Sequence, residues 1–210
     1  AQESRGLGDV YKRQELHHRI MREIILPTVQ GMTRDGIPYT GFLYAGLMIA
    51  PGDDPDRDIK TLEFNCRMGD PETQPIMMRV KSDLLDVLEH AVDGTLDRAD
   101  ITWDRRTALG VVLASHNYPN TPRTGDVIRG LPADADDCMV FHAATELDGE
   151  DTKTTGGRVL CVTALGDSVK MARDRVYEAI DGIHFDGRQY RSDIGWRALK
   201  PSQQKPKSNA

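Results

Sequence analysis

Two segments of the chain carry apolar residues at helical spacing. In residues 15–26 the apolar positions recur every fourth residue and stop before Pro27, which predicts a short amphipathic helix. In residues 74–92 apolar residues again follow helical intervals, as far as Gly94, and predict a second, longer helix.

Between these helices the pattern changes to one typical of strands. Residues 40–50 (TGFLYAGLMIA) are apolar and aromatic, and residues 59–68 (IKTLEFNCRM) alternate between apolar and polar. The acidic segment between them, residues 51–58 (PGDDPDRD), contains two prolines and has no glutamate at EF-hand spacing. We therefore expect a β-hairpin closed by a solvated turn rather than a calcium loop.

The C-terminal half has a different pattern of apolar and polar residues. Polar residues 93–106 lead into short apolar runs separated by turns rich in Gly, Pro and Asp, and these runs lie at residues 108–114, 139–144 and 159–165. A helical pattern follows at residues 168–180. This order predicts a small β-rich domain with one packed helix.

The second strand of the hairpin carries the most informative polar residues. Side chains two apart share a face, so Glu63, Asn65 and Arg67 are expected to lie together. A carboxylate and a carboxamide are oxygen ligands that Mg²⁺ accepts, and an adjacent arginine suits a phosphoryl or carboxylate group. The simpler interpretation is a solvent-facing edge with a weak ion pair, and alternation alone does not decide between the two.

Length and composition allow one or two domains, since the chain has 210 residues and a mass of 23.4 kDa. The formal net charge of −6, without a concentrated basic stripe, argues against a nucleic-acid partner. Three widely spaced cysteines favour a reducing cytoplasm over a disulfide framework or a zinc site. The longest apolar run, about ten residues, is too short to cross a membrane, so we expect a soluble, unexported protein.

The two ends of the chain are expected to lie outside the fold. Residues 1–14 (AQESRGLGDVYKRQ) form either an ordinary flexible tail or a non-native tail, because residues 9–14 resemble the translated end of a sequencing-library adapter. In the second case the natural N-terminal portion is missing. Residues 201–210 have no apolar anchor and are expected to be disordered.

Residues 39–76 (YTGFLYAGLMIAPGDDPDRDIKTLEFNCRMGDPETQPI) closely resemble the phosphoribosylamine–glycine ligase family, which is also called glycinamide ribonucleotide synthetase and belongs to the ATP-grasp enzymes. The resemblance covers residues 16–200 and continues through RTGDVI at 123–128, VFHA at 140–143, GGRVLCVT at 156–163 and DIGWRA at 193–198. It implies an α+β fold. Residues 15–97 would be the C-terminal part of an ATP-grasp domain, an antiparallel sheet with helices, and residues 98–200 a β-rich C-terminal domain.

The resemblance also implies a reaction of purine biosynthesis. Family members use ATP to join glycine to 5-phosphoribosylamine: the glycine carboxylate attacks the γ-phosphate to give glycyl phosphate, and the amine then displaces phosphate. The product is glycinamide ribonucleotide. Expected partners are therefore glycine, 5-phosphoribosylamine and ATP, with Mg²⁺ or Mn²⁺ as the metal, and neither nucleic acid nor a membrane.

Matching the family motif residue by residue assigns roles on the polar strand and the loop after it. Glu63 and Asn65 fall on the family's metal ligands, which agrees with the interpretation of that face from its chemistry. Arg67 falls beside the reacting phosphoryl group, where a cation offsets charge brought together by two anions. Gly69 and Asp70 begin the loop that lines the site.

The roles of two further residues and one loop are left open by the sequence. Arg158 follows two glycines and is a candidate for holding phosphoribosylamine or closing the site, although a turn before a core strand is the simpler interpretation. Met68 stands where an aromatic residue is expected. Residues 115–119 (SHNYP) stand where a more glycine-rich turn is expected, so the conformation of that loop and any role of His116 are left open.

The family's N-terminal domain and the first part of its ATP-grasp fold are expected before residue 16 and are not in this chain. One lobe alone cannot position ATP or exclude water, so we expect this polypeptide by itself to be inactive. Two alternatives remain: another ATP-grasp carboxylate–amine ligase or carboxylase relative, and a non-catalytic module that binds a magnesium nucleotide.

Overall fold

A computed structural model of the protein describes residues 14–50 and 57–199. Predictions for residues 1–13, for the tip of the acidic turn at 51–56 and for the tail at 201–210 therefore lie outside the described residues. The described residues divide into two units, of which the first contains residues 14–50, 57–69 and 90–96 and the second contains residues 70–89 and 97–199.

The first helix of the chain runs through Pro27, so the predicted end before that proline is wrong. Residues 14–20 are α-helical, Met21–Ile25 form a π-helical turn, and α1 (Leu26–Arg34) follows without a break. Pro27 is the second residue of α1 and donates no backbone hydrogen bond to the turn before it. The wider π turn precedes it, and the Thr28 hydroxyl donates to the Ile24 carbonyl at 2.7 Å.

The hairpin of the first unit is confirmed. Strands β1 (Tyr44–Ile49) and β2 (Ile59–Asn65) pair antiparallel, and the Ala50 amide donates to the Asp58 carbonyl at 2.9 Å. Gly46 pairs with Glu63 while Leu47 pairs with Thr61, so Leu62 is the extra residue of a β-bulge. The strand ends at Asn65, three residues earlier than expected.

The predicted helix over residues 74–92 is two helices. In the second unit α2 (Thr73–Arg79) ends where Val80 turns to an extended conformation, with ψ 124°, and bridges to Trp103. Helix α3 (Leu84–Val92) then starts after Asp83, whose carboxylate accepts a hydrogen bond from the Leu85 amide at 2.8 Å. An aspartate in this position caps a helix N-terminus, which explains the restart.

Two antiparallel three-stranded sheets build the rest of the second unit, as the β-rich pattern predicts. Their strands are β3 (Thr107–Ala114), β4 (Val127–Ile128), β5 (Cys138–His142), β6 (Thr145–Asp148), β7 (Asp151–Thr154) and β8 (Arg158–Gly166). The larger sheet has the order β3–β8–β5 and the smaller one β4–β7–β6. Helix α4 (Val169–Gly182) packs on the larger sheet, and a short α5 (Trp196–Leu199) follows. No helix among the described residues has the length and apolar content needed to span a membrane.

The core of the second unit lies between α4 and the larger sheet. Ala172, Val176 and Ile180 recur every fourth residue along α4 and are fully buried. The Ser168 side chain caps this helix by accepting from the Met171 amide at 3.2 Å. From Val159 onward every residue of β8 is buried, because both of its faces and both of its edges are covered.

A matched pair of leucines tests this assignment of the core. Leu113 on β3 is 0% exposed and Leu147 on β6 is 79% exposed. Replacing Leu113 with alanine should lower the free energy of unfolding by about 2 to 5 kcal/mol, because it removes buried surface and leaves a cavity. Leu147→Ala should change it by less than about 0.5 kcal/mol. Urea unfolding followed by circular dichroism measures both, and equal losses would contradict the assignment.

Candidate functional site

Glu63 and Asn65 lie on one face of β2 with their side chains in contact. The Asn65 Nδ2 atom donates a hydrogen bond to Glu63 Oε1 at 3.1 Å. Glu63 is exposed and Asn65 is half-buried. The two side chains are two residues apart on the strand, so their proximity follows directly from the pleat. Glu63 and Asn65 therefore share one strand face, as the alternation of the sequence predicts.

A glycine on the partner strand leaves room for the Glu63 side chain. Gly46 lies opposite Glu63, and a Cβ at Gly46 would stand 3.0 Å from Glu63 Cγ. Any larger residue there would displace the carboxylate-bearing side chain. The missing side chain at Gly46 thus helps to set the direction of Glu63, a contribution that sequence spacing did not indicate.

The donor set of this pair fits a magnesium or manganese ion. A carboxylate oxygen and a carboxamide oxygen are hard ligands, and Mg²⁺ commonly takes one or two protein ligands with water and phosphate oxygens for the rest. Within residues 14–50 and 57–199 no group of three or more His, Cys, Asp or Glu side chains could enclose a metal. The pair therefore suits a hydrated, phosphate-bound cation rather than a closed protein cage.

Arg67 lies beyond the end of β2 and does not join the pair. Its Nη1 atom donates to the Met68 carbonyl at 2.9 Å, and its side chain is exposed. Among the described residues no hydrogen bond or ion pair connects Arg67 with Glu63 or Asn65. Of the three side chains expected on one strand face, only Glu63 and Asn65 lie together there, and the prediction for Arg67 is wrong. The Arg67 guanidinium retains free N–H donors for an anion.

In the second unit, Arg158 holds Asp70. Arg158 Nη1 donates to the Asp70 carbonyl at 2.7 Å and lies 3.2 Å from Asp70 Oδ2. The Nε atom of the same guanidinium donates to the Tyr118 hydroxyl at 2.9 Å. The hydrogen bond with Tyr118, followed by the charge of Asp70, raises the pKa of Arg158. Two residues predicted to bind substrate are therefore brought together, while Gly69, the residue before Asp70, is buried.

Tyr118 was not identified from the sequence, and it fixes the position of Arg158. A Cβ at Gly157 would overlap the Tyr118 ring, so the glycine lets the ring lie directly against the backbone beside Arg158. Asn117 has φ 70° and takes the left-handed conformation that a glycine would otherwise supply. The glycine pair at 156–157 was the available signal, because it marks a close approach to the backbone.

A cavity of about 560 Å³ opens beside Arg158 in the second unit. Pro71, Tyr118, Tyr190 and Ile194 contribute to its wall together with the aliphatic residues of β3. The wall is thus largely apolar, and its polar residues are Arg158, Gln189 and Arg191. Arg158 Nη2 has no hydrogen-bond partner among the described residues, which leaves one donor edge for a ligand.

Comparison with known proteins agrees with these features. Residues 9–73 match the model of the phosphoribosylglycinamide synthetase ATP-grasp (A) domain, and residues 108–197 match the C domain of the same enzyme. The chain belongs to the phosphoribosylamine–glycine ligase family. A phosphoribosylamine–glycine ligase of Ralstonia nicotianae is 62% identical over 185 residues, which are 88% of this chain and 43% of the relative.

Two further members of the ligase family show the same coverage. A phosphoribosylamine–glycine ligase of Xanthomonas axonopodis pv. citri is 54% identical over 191 residues, 90% of this chain and 43% of its own length. The crystal structure of a phosphoribosylamine–glycine ligase from Thermotoga maritima superposes with a TM-score of 0.72 at 32% identity, covering 83% of this chain and 42% of that one. This chain thus spans less than half of the ligases it matches, and the α+β fold is confirmed.

Removing the Glu63 charge should weaken metal binding. Glu63→Gln replaces a charged oxygen donor of the candidate pair by a neutral one, so the dissociation constant of Mn²⁺ should rise by roughly tenfold or more. Glu146 is an exposed strand glutamate on β6 and provides the matched control. Titration of the chain with Mn²⁺, followed by electron paramagnetic resonance, compares Glu63→Gln with Glu146→Gln. Equal affinity in the two variants would show that Glu63 is not a ligand.

Loss of Arg158 should loosen the Asp70 loop. The charged hydrogen bonds to Asp70 disappear in Arg158→Ala, and a net loss of about 1 kcal/mol corresponds to roughly fivefold faster amide exchange around residues 70–73. Arg129, an exposed arginine 3.8 Å from Asp151, gives the control Arg129→Ala. Hydrogen–deuterium exchange with mass spectrometry makes the comparison. Unchanged exchange at these residues would mean that Arg158 does not hold the loop.

Proposed function

We propose that this chain supplies the C-terminal part of an enzyme that joins glycine to 5-phosphoribosylamine at the expense of ATP. The observation that carries the proposal is the Glu63–Asn65 contact within the region that matches the ATP-grasp domain. That pair has the ligands for a magnesium nucleotide, and the two domain matches belong to one synthetase. The product would be glycinamide ribonucleotide, with ADP and phosphate released.

Each candidate residue has a separate task in this reaction. Glu63 and Asn65 would hold Mg²⁺ or Mn²⁺, which when bound offsets the negative charge of the ATP phosphates. The guanidinium of Arg67 would donate hydrogen bonds to the phosphoryl oxygens as the glycine carboxylate attacks the γ-phosphate and glycyl phosphate forms. Neither task requires a covalent bond to the protein.

The Asp70 loop is proposed to orient the second substrate. With Arg158 bound to its carbonyl and close to its carboxylate, the loop has a fixed backbone. A fixed Asp70 carboxylate would accept hydrogen bonds from the amine or hydroxyl groups of phosphoribosylamine, while the buried Gly69 would form the base of the loop. Arg158 would act here as a positioning residue for Asp70. Its free Nη2 group would donate hydrogen bonds to an anionic group of the substrate.

The remaining part of the ligase would complete the nucleotide site. The chain spans 43% of the Ralstonia nicotianae relative, and phosphoryl transfer from ATP requires a site closed to water. We therefore expect this chain alone to show no ligase activity. Its proposed macromolecular partner is the rest of the same enzyme.

A chimeric ligase tests the proposal. The matched segment of the Ralstonia nicotianae ligase is replaced by this chain, and ADP release is measured with and without glycine and phosphoribosylamine. Release that needs both substrates is expected, and Glu63→Gln and Arg67→Ala should each reduce kcat/KM by at least about a hundredfold, as the loss of a charge stabiliser does. Glu146→Gln in the same chimera should retain full activity.

The same assay separates the alternatives. ADP release that needs neither substrate would overturn the proposed reaction. Turnover with a different carboxylate or amine in place of glycine or phosphoribosylamine would instead identify another ATP-grasp ligase. Metal-nucleotide binding by a folded chimera without any turnover would indicate a non-catalytic module.

A further inference from the structure

A second cavity of the second unit is lined by arginines and has no role in the proposed reaction. Its volume is about 270 Å³, and it lies where α2 meets the segment before β3. Its lining residues are Pro75, Ile76, Arg79, Trp103, Arg105, Arg106, Thr107 and Ala108. Three of these are cationic and none is acidic.

The nearby carboxylates do not neutralise this group of arginines. Asp104 is buried, at 6% exposure, and Arg106 Nη2 lies 2.7 Å from Asp104 Oδ2 in a bond supported by Nε. Lys81 Nζ lies 3.6 Å from the same oxygen. Asp104 is thus already shared between two cations. Asp137 and Asp167 also act on the Arg106 charge, and Asp137 is itself paired with Arg175 at 3.0 Å. Since Arg79 and Arg105 add their charges beside this cluster, a positive excess remains at the cavity.

Arg79 and Arg105 keep donors for a ligand. Arg79 Nε donates to the Asp104 carbonyl at 3.1 Å, which leaves its two Nη groups without a hydrogen-bond partner among the described residues. Arg105 is exposed and takes part in no ion pair within the described part of the chain. A guanidinium with free N–H groups binds phosphate oxygens well, because its donors match their geometry.

Backbone contacts fix the segment that carries Arg79 relative to the segment that carries Trp103. Val80 bridges to Trp103, and the Asp104 amide donates to the Arg79 carbonyl at 2.6 Å. The Trp103 ring stands with its centroid 6.0 Å from the Arg79 guanidinium carbon and is 45% exposed. An exposed aromatic face next to free cationic donors offers stacking and charge to one ligand.

We propose that this cavity binds a small organic phosphate, with the phosphate on Arg79 and Arg105 and a planar group against Trp103. Its volume of about 270 Å³ lies just under the lower end of typical ligand pockets, roughly 300 Å³, and suits a ligand of about the size of a nucleoside monophosphate. The site needs no metal, because arginines supply the charge. It is therefore independent of the Glu63–Asn65 pair and of the proposed ligase reaction.

Tryptophan fluorescence tests the proposal with AMP as the probe. The chain has two tryptophans, so Trp196→Phe leaves Trp103 as the reporter. AMP should quench its emission saturably in EDTA, which prevents any metal-dependent nucleotide binding from contributing. Inorganic phosphate should compete, and adenosine at equal concentration should bind about tenfold more weakly because it lacks the charged group. Raising the salt from about 0.05 to 0.2 M should weaken AMP binding several-fold.

Arginine variants in the same background decide whether the cavity is the site. Arg105→Ala should raise the dissociation constant of AMP by about tenfold, as expected for loss of a charge-assisted contact. Arg98 is an exposed arginine outside the cavity, and Arg98→Ala should leave the constant unchanged. Circular dichroism verifies that both variants fold. Absence of saturable quenching up to about 10 mM AMP, or an equal loss in Arg98→Ala, would overturn the proposal.

Discussion

The burial of β8 on both faces is the constraint on which the second unit depends. This strand pairs with β3 on one edge and β5 on the other, and α4 and α2 lie against the sheet that it centres. A strand covered on all sides must be almost wholly apolar, and residues 159–165 meet that requirement. The first residue, Arg158, lies where the cover ends, so its charged group is free to reach Asp70. The same strand therefore forms the core and positions a residue of the candidate site.

The candidate metal ligands depend on a different kind of local structure. Glu63 and Asn65 belong to a two-stranded hairpin. Their contact follows from the pleat and from the space that the absent side chain of Gly46 leaves for Glu63. The bulge at Leu62 and the end of β2 at Asn65 leave a regular stretch, residues 63–65, that carries both side chains on one face. Arg67, just beyond it, is directed by the Met68 carbonyl instead. The regular strand backbone thus determines the positions of Glu63 and Asn65, whereas a local hydrogen bond determines the direction of Arg67. An anion bound by Arg67 would either replace that hydrogen bond or use the remaining donors.

Periodicity located most elements because local apolar spacing differs between strands and helices, whether the residues are buried, as in β8, or exposed, as Leu62 and Phe64 are on β2. The apolar runs before and after the hairpin turn, the three runs of the larger sheet and the helix that follows them all have the predicted type. Two predictions failed at breaks in otherwise helical patterns. The first helix continues through Pro27 because a π-helical turn precedes it, and the second is interrupted at Val80 because that residue pairs with Trp103. The continuation through Pro27 and the break at Val80 both depend on backbone hydrogen bonds, which the spacing of apolar residues does not reveal.

Local patterns in the chain were enough to place Glu63 beside Asn65, to predict the hairpin and to outline the β-rich half, since each depends on residues a few positions apart. Contacts between distant residues could not be obtained in this way. Arg158 meets Tyr118 across 40 positions and Asp70 across 88, and Arg79 stands near Trp103 through a pairing of separate segments. Such contacts arise from the packing of the sheet and helices, which brings together side chains whose separation along the chain carries no periodic signal.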